Sequence, residues 1–320
     1  ILNIQFAILL VISVLAFSVA KPIVLYGEQY KYKDKIIYQE QTRYQKIVVT
    51  QWKDNFWLFI NGSTQFSTYD EERYHEPLVH PIMNLLKERK DILLLGAGDG
   101  LAAREILKYP DVESLTLVDL DPAMTRLARQ HKMFLRVNQG SLNDPRVRVL
   151  NRDAYQFMKE SSGLYDAIII DLPDPKSVSL SLLYSLGFYK MVEKHLKPFG
   201  AMVTQSTSPL YSPEAFLCIK KTMQAANFST LPYQNSVPSM GQWGWVLGIR
   251  KKIMPAKQLK QEVIAQKISG IETLFFNQNA MISMAYFGKG LFDKEKKIEP
   301  NTQFNHNILK YYRQGSWDLY

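Results

Sequence analysis

The distribution of apolar and polar positions divides the chain into three stretches. Residues Ile1 to Ala20 carry no charge and are mostly Ile, Leu, Val, Ala and Phe; at about 1.5 Å per residue they cover roughly 30 Å, one hydrocarbon core, which predicts a transmembrane helix over 1–20. The pattern then changes to short β-branched and aromatic runs, Lys35–Gln39, Gln45–Trp52 and Asn55–Ile60. Asn61-Gly62 follows as a hairpin signal, so a small antiparallel β region is expected. Helical spacing returns at Glu71 to Leu86.

From residue 91 onward, buried strands alternate with helical stretches. Strands are expected at Ile92–Leu95, Ser114–Asp119, Val147–Leu150, Ala167–Asp171 and Ala201–Gln205, with helices at Leu101–Lys108, Pro122–Gln130, Ala154–Glu160 and Gly187–Leu196. Short continuous apolar runs between helices imply a parallel sheet covered on both faces, the α/β doubly wound class. A helix at Pro213–Ala226 and a strand at Gly244–Arg250 extend it. Beyond Lys251 the periodicity degrades, leaving one helix near Lys257–Lys267 and an aromatic-rich end that carries little chemistry. The expected organisation is a membrane helix (1–20), a β-hairpin region (21–68), a doubly wound α/β domain (69–250) and a C-terminal extension (251–320).

With 320 residues and 46% apolar composition, the chain can bury a sizeable core, which excludes disordered and small disulfide-bonded classes. Its 39 basic against 30 acidic residues give a net charge of +9 and call for an anionic neighbour. The uncharged first stretch favours phospholipid over nucleic acid. Lys21, Lys31, Lys33 and Lys35 follow it closely, which by the positive-inside tendency puts the remainder in the cytoplasm, at the cell membrane. The stretch lacks an initiator Met and a basic leader and is long for a signal peptide, so the expectation is the last helix of a truncated membrane region. The single cysteine, Cys218, permits no intrachain disulfide and reads as a buried apolar residue in a reducing compartment.

The first chemically informative segment is Leu95-Gly-Ala-Gly-Asp-Gly100, between a buried strand and a helix, where nucleotide-binding folds bring a ligand against the backbone. Gly96 and Gly98 make room for that approach. Asp99 sits where a pyrophosphate would need only backbone N–H groups, so a diphosphate is disfavoured. Asp119 ends the next strand, placed to accept from ribose hydroxyls, and Asp153 follows the strand after, where it or its backbone could read an adenine edge. Glycines with three spaced acids indicate an adenosyl ligand without phosphate. A second segment, Ile170-Asp-Leu-Pro-Asp-Pro175, sends Asp171 and Asp174 from a strand end into a Pro-stiffened loop. His80, His131, His195 and His306 have no ligand-like spacing and read as structural; no metal site is expected.

These segments, with Arg43–Val49, Gln65–Glu76, Gly96–Glu105 and Val237–Gly244, run in the order found in the polyamine aminopropyltransferases (spermidine synthases), and the chain resembles that family over residues 35 to 250, in particular its bacterial membrane-fused members. The resemblance implies a Rossmann-like methyltransferase-type fold. It also implies transfer of the aminopropyl group of decarboxylated S-adenosylmethionine to putrescine, giving spermidine and methylthioadenosine without a metal. In that reading Asp171 is the base and Tyr74 orients the amine. The donor meets Gln45, His75, Gly96, Gly98, Asp99, Asp119 and Asp153; the amine meets Asp174, Gln65, Gln205 and Trp243. Two like charges about 4 Å apart cost about 4 kcal/mol at an effective dielectric near 20, so Asp99 selects against a carboxylated donor. The expected partners are putrescine or a related diamine, membrane lipid through the first helix, and a second copy of the chain, with no nucleic acid. The chain departs from soluble relatives at Met240–Trp243 and in the loop Lys176–Tyr184, so the far end of the amine pocket and its gate are expected to differ. Two other readings stay open, an S-adenosylmethionine-dependent methyltransferase and a non-catalytic membrane-linked polyamine-binding module.

Overall fold

The computed structural model describes residues 2–319, the side chains of 2, 3, 7, 17–26 and 319 excepted. The chain divides into two units, Ile1–Tyr69 and Asp70–Tyr320.

In the first unit a helix, Leu2–Gln29, precedes four antiparallel strands in the order β1 (Lys35–Gln41), β2 (Lys46–Trp52), β3 (Asn55–Ile60) and β4 (Ser63–Ser67). Ile60 pairs with Ser63, and the two residues between them, Asn61 and Gly62, take φ of +50° and +80°. That is the mirror-image two-residue turn that Asn-Gly favours, because its twist matches the strands. Phe56 and Phe66 meet edge-on at 5.7 Å and are buried together with Leu58. The expected membrane-spanning helix is not found: among the described residues, no helix is long and apolar enough to cross a membrane. Ile1 and the side chains of 2, 3, 7 and 17–20 lie outside the described residues.

The second unit is built on a seven-stranded sheet. Its strands are β5 (Asp91–Gly96), β6 (Ser114–Asp119), β7 (Val147–Asn151), β8 (Tyr165–Asp171), β9 (Leu196–Gln205), β10 (Phe228–Val237) and β11 (Gly241–Arg250), in the spatial order β10-β11-β9-β8-β5-β6-β7. The run β7-β6-β5-β8-β9 is parallel. Both faces of β5, β8 and the second half of β9 are buried, as their continuous apolar sequences require, while the edge strand β7 is only partly covered. Leu93, Leu95, Ile168, Ile170 and Met202 point into one core with the helices Ala154–Glu160, Leu186–Lys194 and Pro213–Ala225, while the alternate residues Ile92, Leu94, Ile169 and Val203 are buried on the other face.

Two features differ from the sequence expectation. The sheet is mixed, since β11 runs antiparallel to β9 and forms a hairpin with β10. Strand β10 had no expected counterpart because Pro232 interrupts it; as the edge strand it tolerates the missing N–H. The C-terminal extension carries real structure: besides the expected helix, here Ala256–Ile264, it forms Gln278–Met284 and Asn307–Arg313, and Ile298, Ile308 and Tyr312 enter the main core.

Candidate active site

The C-terminal ends of β5, β6, β8 and β9 converge in sequence-adjacent loops, the position at which open α/β sheets receive ligands. Gly96 ends β5 opposite Asp171 at the end of β8. Its φ is +82°, and a Cβ there would fall 2.0 Å from the Asp171 carbonyl oxygen, so only glycine fits. A Cβ on Gly98 would lie 2.6 Å from an Asp119 carboxylate oxygen. The Gly98 N–H donates to Asp119 Oδ2 at 3.1 Å and the Asp121 N–H to Oδ1 at 2.9 Å, which aims the Asp119 carboxylate along the glycine turn. Asp99 accepts from the Leu101 N–H at 2.8 Å, closing the first turn of the helix Leu101–Leu107, and Asn138 Nδ2 holds the Asp99 carbonyl. Asp99 and Asp119 keep part of their surface open.

Asp171 receives the Tyr74 hydroxyl on Oδ1 at 2.6 Å. Tyr74 is buried on the helix Glu72–Leu85, wedged edge-on against Trp245 at 5.4 Å and His75 at 5.1 Å. Asp174 accepts from the Tyr312 hydroxyl on Oδ2 at 2.9 Å, and its Oδ1 lies 3.4 Å from Gln205 Nε2. Gln205 is a hub: Nε2 donates to the Leu172 carbonyl and the Tyr184 hydroxyl, both at 2.6 Å, while Oε1 accepts from the Thr207 N–H and from Trp243 Nε1 at 3.3 Å. Tyr184 in turn donates to the Leu172 carbonyl, pinning the Asp-Leu-Pro-Asp loop. Thr207 is held at φ +55°, a region that costs a β-branched residue of order 1–3 kcal/mol, and its buried hydroxyl lies beside Asp174 without hydrogen-bond geometry.

Electrostatics follow from this crowding. Burial pushes both Asp171 and Asp119 up to about 6; at Asp171 the His75 charge and the Tyr74 hydroxyl pull back, while Asp99 adds to the rise. Asp99 and Asp174 are raised, in both cases chiefly by burial. Burial opposes charge on His75, but the Glu71 carboxylate, 2.8 Å from Nδ1, outweighs it and holds the imidazole at about 8. Glu71 is itself gripped by both Arg104 terminal nitrogens at 2.7 and 3.0 Å. Around neutral pH the site therefore presents a cluster of carboxylates with one imidazolium behind it.

Other expected residues fall elsewhere. Asp153 is exposed and caps the helix Ala154–Glu160, its Oδ1 accepting from the Gln156 N–H at 2.9 Å. Gln45 lies in the β1–β2 turn and Gln65 on β4, where its Nε2 donates to the Ser63 carbonyl; both belong to the N-terminal unit. His80 sits buried between Tyr109 and Glu105. Its ring, with Glu76 and Glu105, makes a trio whose ligand atoms lie within 4.8 Å of one another. Those carboxylates are occupied: Glu76 accepts the N–H groups of Leu274, Phe275 and Phe276, and Glu105 meets Arg104 and Lys108. Glu76 thereby fastens the C-terminal extension to the helix Glu72–Leu85. His195 bridges the Met191 and Ser161 carbonyls. Cys218 is buried, which pushes its thiol up to about 12. Sequence reasoning missed Tyr184, Glu71 and Tyr312; Tyr312 reaches Asp174 across 138 residues and Glu71 reaches Arg104 across 33, and only Glu71 falls inside a quoted motif.

Comparison with known proteins places this arrangement. Residues 71–261 match the spermine/spermidine synthase domain. A polyamine aminopropyltransferase of Leptospira interrogans is 41% identical over 312 residues, 98% of this chain and 60% of the relative, and one of Oceanobacillus iheyensis is 40% identical over 298 residues, 92% and 56%. The chain thus spans little more than half the length of these relatives. Among solved structures, a spermidine synthase in complex with the transition-state analogue AdoDATO superposes with a TM-score of 0.73 at 25% identity over 82% of this chain and 89% of that one, and the Thermotoga maritima spermidine synthase gives 0.72. The ordered motifs, the presence of both a small antiparallel sheet and a Rossmann-like sheet, and the extent of these matches agree, and the chain belongs to the spermine/spermidine synthase family.

Proposed function

We propose that the protein transfers the aminopropyl group of decarboxylated S-adenosylmethionine to putrescine, giving spermidine and methylthioadenosine. The observation that carries this reading is the pairing of Gly96 with Asp171. It sets the glycine turn that would receive an adenosyl group beside a carboxylate already hydrogen-bonded by Tyr74. Both substrates are cationic, and Asp99, Asp171 and Asp174 offer complementary charge on neighbouring loops.

An ammonium with a pKa near 10 must lose a proton before its nitrogen can attack carbon. Asp171 accepts that proton as the new C–N bond forms. The C–S bond breaks with its electron pair passing to sulfur, which leaves as a neutral thioether. A positioned base contributes typically 10²–10⁴-fold, and holding both reactants in line adds much of the rest. Asp174 anchors the far amine, and Gln205 and Trp243 frame it. Asp119 accepts from the ribose. Asp153, spent as a helix cap, leaves its backbone for the adenine. His75 completes the donor contacts. Incubation with the decarboxylated donor and a panel of diamines, with the amine product read by mass spectrometry, tests this. A gain of one aminopropyl unit, largest for putrescine, supports it; an unmodified amine contradicts it.

We also propose that the first helix contacts lipid at the cell membrane, with the catalytic unit on the cytoplasmic side. Five consecutive residues, Ile8 to Ile12, are each more than half exposed, so apolar surface faces every side of the helix there. Deleting residues 1–25 should abolish flotation with anionic liposomes while leaving aminopropyl transfer intact; a deletion variant that still floats contradicts the lipid contact.

A further inference from the structure

The C-terminal extension reaches the acidic loop through one side chain. Tyr312, on the helix Asn307–Arg313, is 6% exposed and donates its hydroxyl to Asp174 Oδ2 at 2.9 Å across 138 residues of sequence. The contact is built into the fold. The Tyr312 ring lies 4.6 Å from that of Trp317, whose Nε1 donates to the Tyr312 carbonyl at 2.8 Å. The turn beyond is tied back by the Ser316 N–H on the Tyr211 carbonyl at 2.7 Å. Before the helix, the fully buried Asn301 donates through Nδ2 to the Ser181 carbonyl, and its carbonyl accepts the Leu186 N–H, both at 2.8 Å. His306 Nδ1 lies 2.8 Å from the Ser181 hydroxyl. Residues 301–317 are thus stitched to the segment that follows the Asp171–Asp174 loop.

We propose that Tyr312 is a positioning residue for the amine acceptor: its hydroxyl fixes the Asp174 carboxylate, occupying Oδ2 so that Oδ1, beside Gln205 and the strained Thr207, is turned to the incoming ammonium. The inference rests on the aminopropyltransferase reading and deepens it. A carboxylate on a loop between two prolines has rotational freedom that a single weak contact at 3.4 Å would not remove. The phenol supplies the second point. It donates to the carboxylate without carrying a charge, so it competes for no cation and leaves the anion available. Because the Tyr312 hydroxyl donates to Asp174, the carboxylate assigned to the amine, its effect should fall on the acceptor and spare the donor.

The test is Tyr312→Phe in the full chain, which keeps the ring against Trp317 and removes only the donor, with Tyr312→Ala as the variant that also removes packing. The readouts are steady-state KM for putrescine, KM for decarboxylated donor, kcat and the melting temperature. The expected result for Tyr312→Phe is a putrescine KM raised about tenfold, the donor KM and melting temperature unchanged, and kcat within about threefold. The loss of one hydrogen bond to a charged group, of order 1.5 kcal/mol, corresponds to that tenfold change. The phenol donor also favours ionised Asp174, so the acid limb of putrescine kcat/KM should move to higher pH in Tyr312→Phe. An unchanged putrescine KM in Tyr312→Phe beside an active wild type overturns the inference and leaves the functional reading standing. Parallel increases in both KM values together with a lowered melting temperature also overturn it, reducing Tyr312 to a packing residue. A wild-type protein that transfers nothing to any diamine overturns both.

Discussion

The Tyr74 hydroxyl donates to Asp171 Oδ1 at 2.6 Å, joining the helix that opens the catalytic unit to the end of its central strand β8, 97 residues later. Tyr74 is buried against Trp245 and remains protonated, since burial and the adjoining carboxylate drive its phenol well above its ordinary value. Toward the Asp171 carboxylate it is therefore the donor. One oxygen of Asp171 is steadied and the carboxylate as a whole remains a proton acceptor, the arrangement a general base requires.

Asp171→Asn should lower turnover by about 10²–10⁴-fold while leaving donor affinity within a few-fold, because the replacement is isosteric and removes the proton acceptor while leaving the backbone that pairs with Gly96 unchanged. Turnover at saturating substrates and donor affinity by calorimetry decide it. Wild-type turnover in the variant would remove Asp171 from the chemistry.

The pH dependence has a definite sign. Asp171 is held at about 6 by burial, and it must be ionised to act, so transfer should rise with pH through about 6 in the free enzyme. The His75 charge lowers Asp171, so His75→Gln should move that acid limb to higher pH. The same variant tests stability. His75 rises from 6.5 to about 8, so the stability it contributes is complete below pH 6.5 and disappears as pH passes through 8; about 1.5 units correspond to about 2 kcal/mol. Denaturant unfolding of the two proteins at pH 6 and pH 9 should show the wild type losing about that advantage. A limb that moves downward, or a pH-independent stability difference, would count against the Glu71–His75 pairing.

Gly96 and Gly98 should respond differently to alanine. Gly96→Ala places a methyl 2.0 Å from the Asp171 carbonyl on a backbone with φ +82°, so loss of a folded catalytic unit is expected. At Gly98 the clash, 2.6 Å, is with a carboxylate side chain that can rotate, so Gly98→Ala should fold but bind the donor about 10- to 100-fold more weakly through displacement of Asp119. A Gly98→Ala protein with unaltered donor affinity would place the adenosyl group away from this turn.

Asp99→Asn should narrow the preference for decarboxylated over carboxylated donor by at least about tenfold, since it removes a like charge facing the methionine carboxylate. Titration of both donors against the variant reads the ratio; an unchanged ratio would locate discrimination in another residue.

What was legible in the sequence was local. Asn61-Gly62 specifies a two-residue turn through its own φ preferences, and Asp121-Pro122 marks a helix start, with the Asp121 carboxylate accepting the Ala123 N–H as expected of a cap. The carboxylates at strand ends were legible because strand and loop are adjacent in sequence. Pro232 hid the edge strand β10, since its tolerance depends on where the strand sits in the sheet. In the chain from His75 through Glu71, Arg104 and Glu105 to His80, the Glu71–Arg104 and Glu105–His80 links join residues 33 and 25 positions apart, and the Tyr312–Asp174 contact spans still more. Such contacts have no periodicity to betray them. The glycine turn by itself permits either aminopropyl or methyl transfer; Asp99, Asp171 and Asp174 together favour the former.

The central claim is best tested by supplying the enzyme with putrescine and, in parallel, decarboxylated or ordinary S-adenosylmethionine, and following the adenosyl product by chromatography. The account predicts methylthioadenosine from the decarboxylated donor, matched one-to-one by spermidine, and little turnover of the carboxylated one. Formation of S-adenosylhomocysteine from the ordinary donor, with no methylthioadenosine from the decarboxylated one, would contradict it.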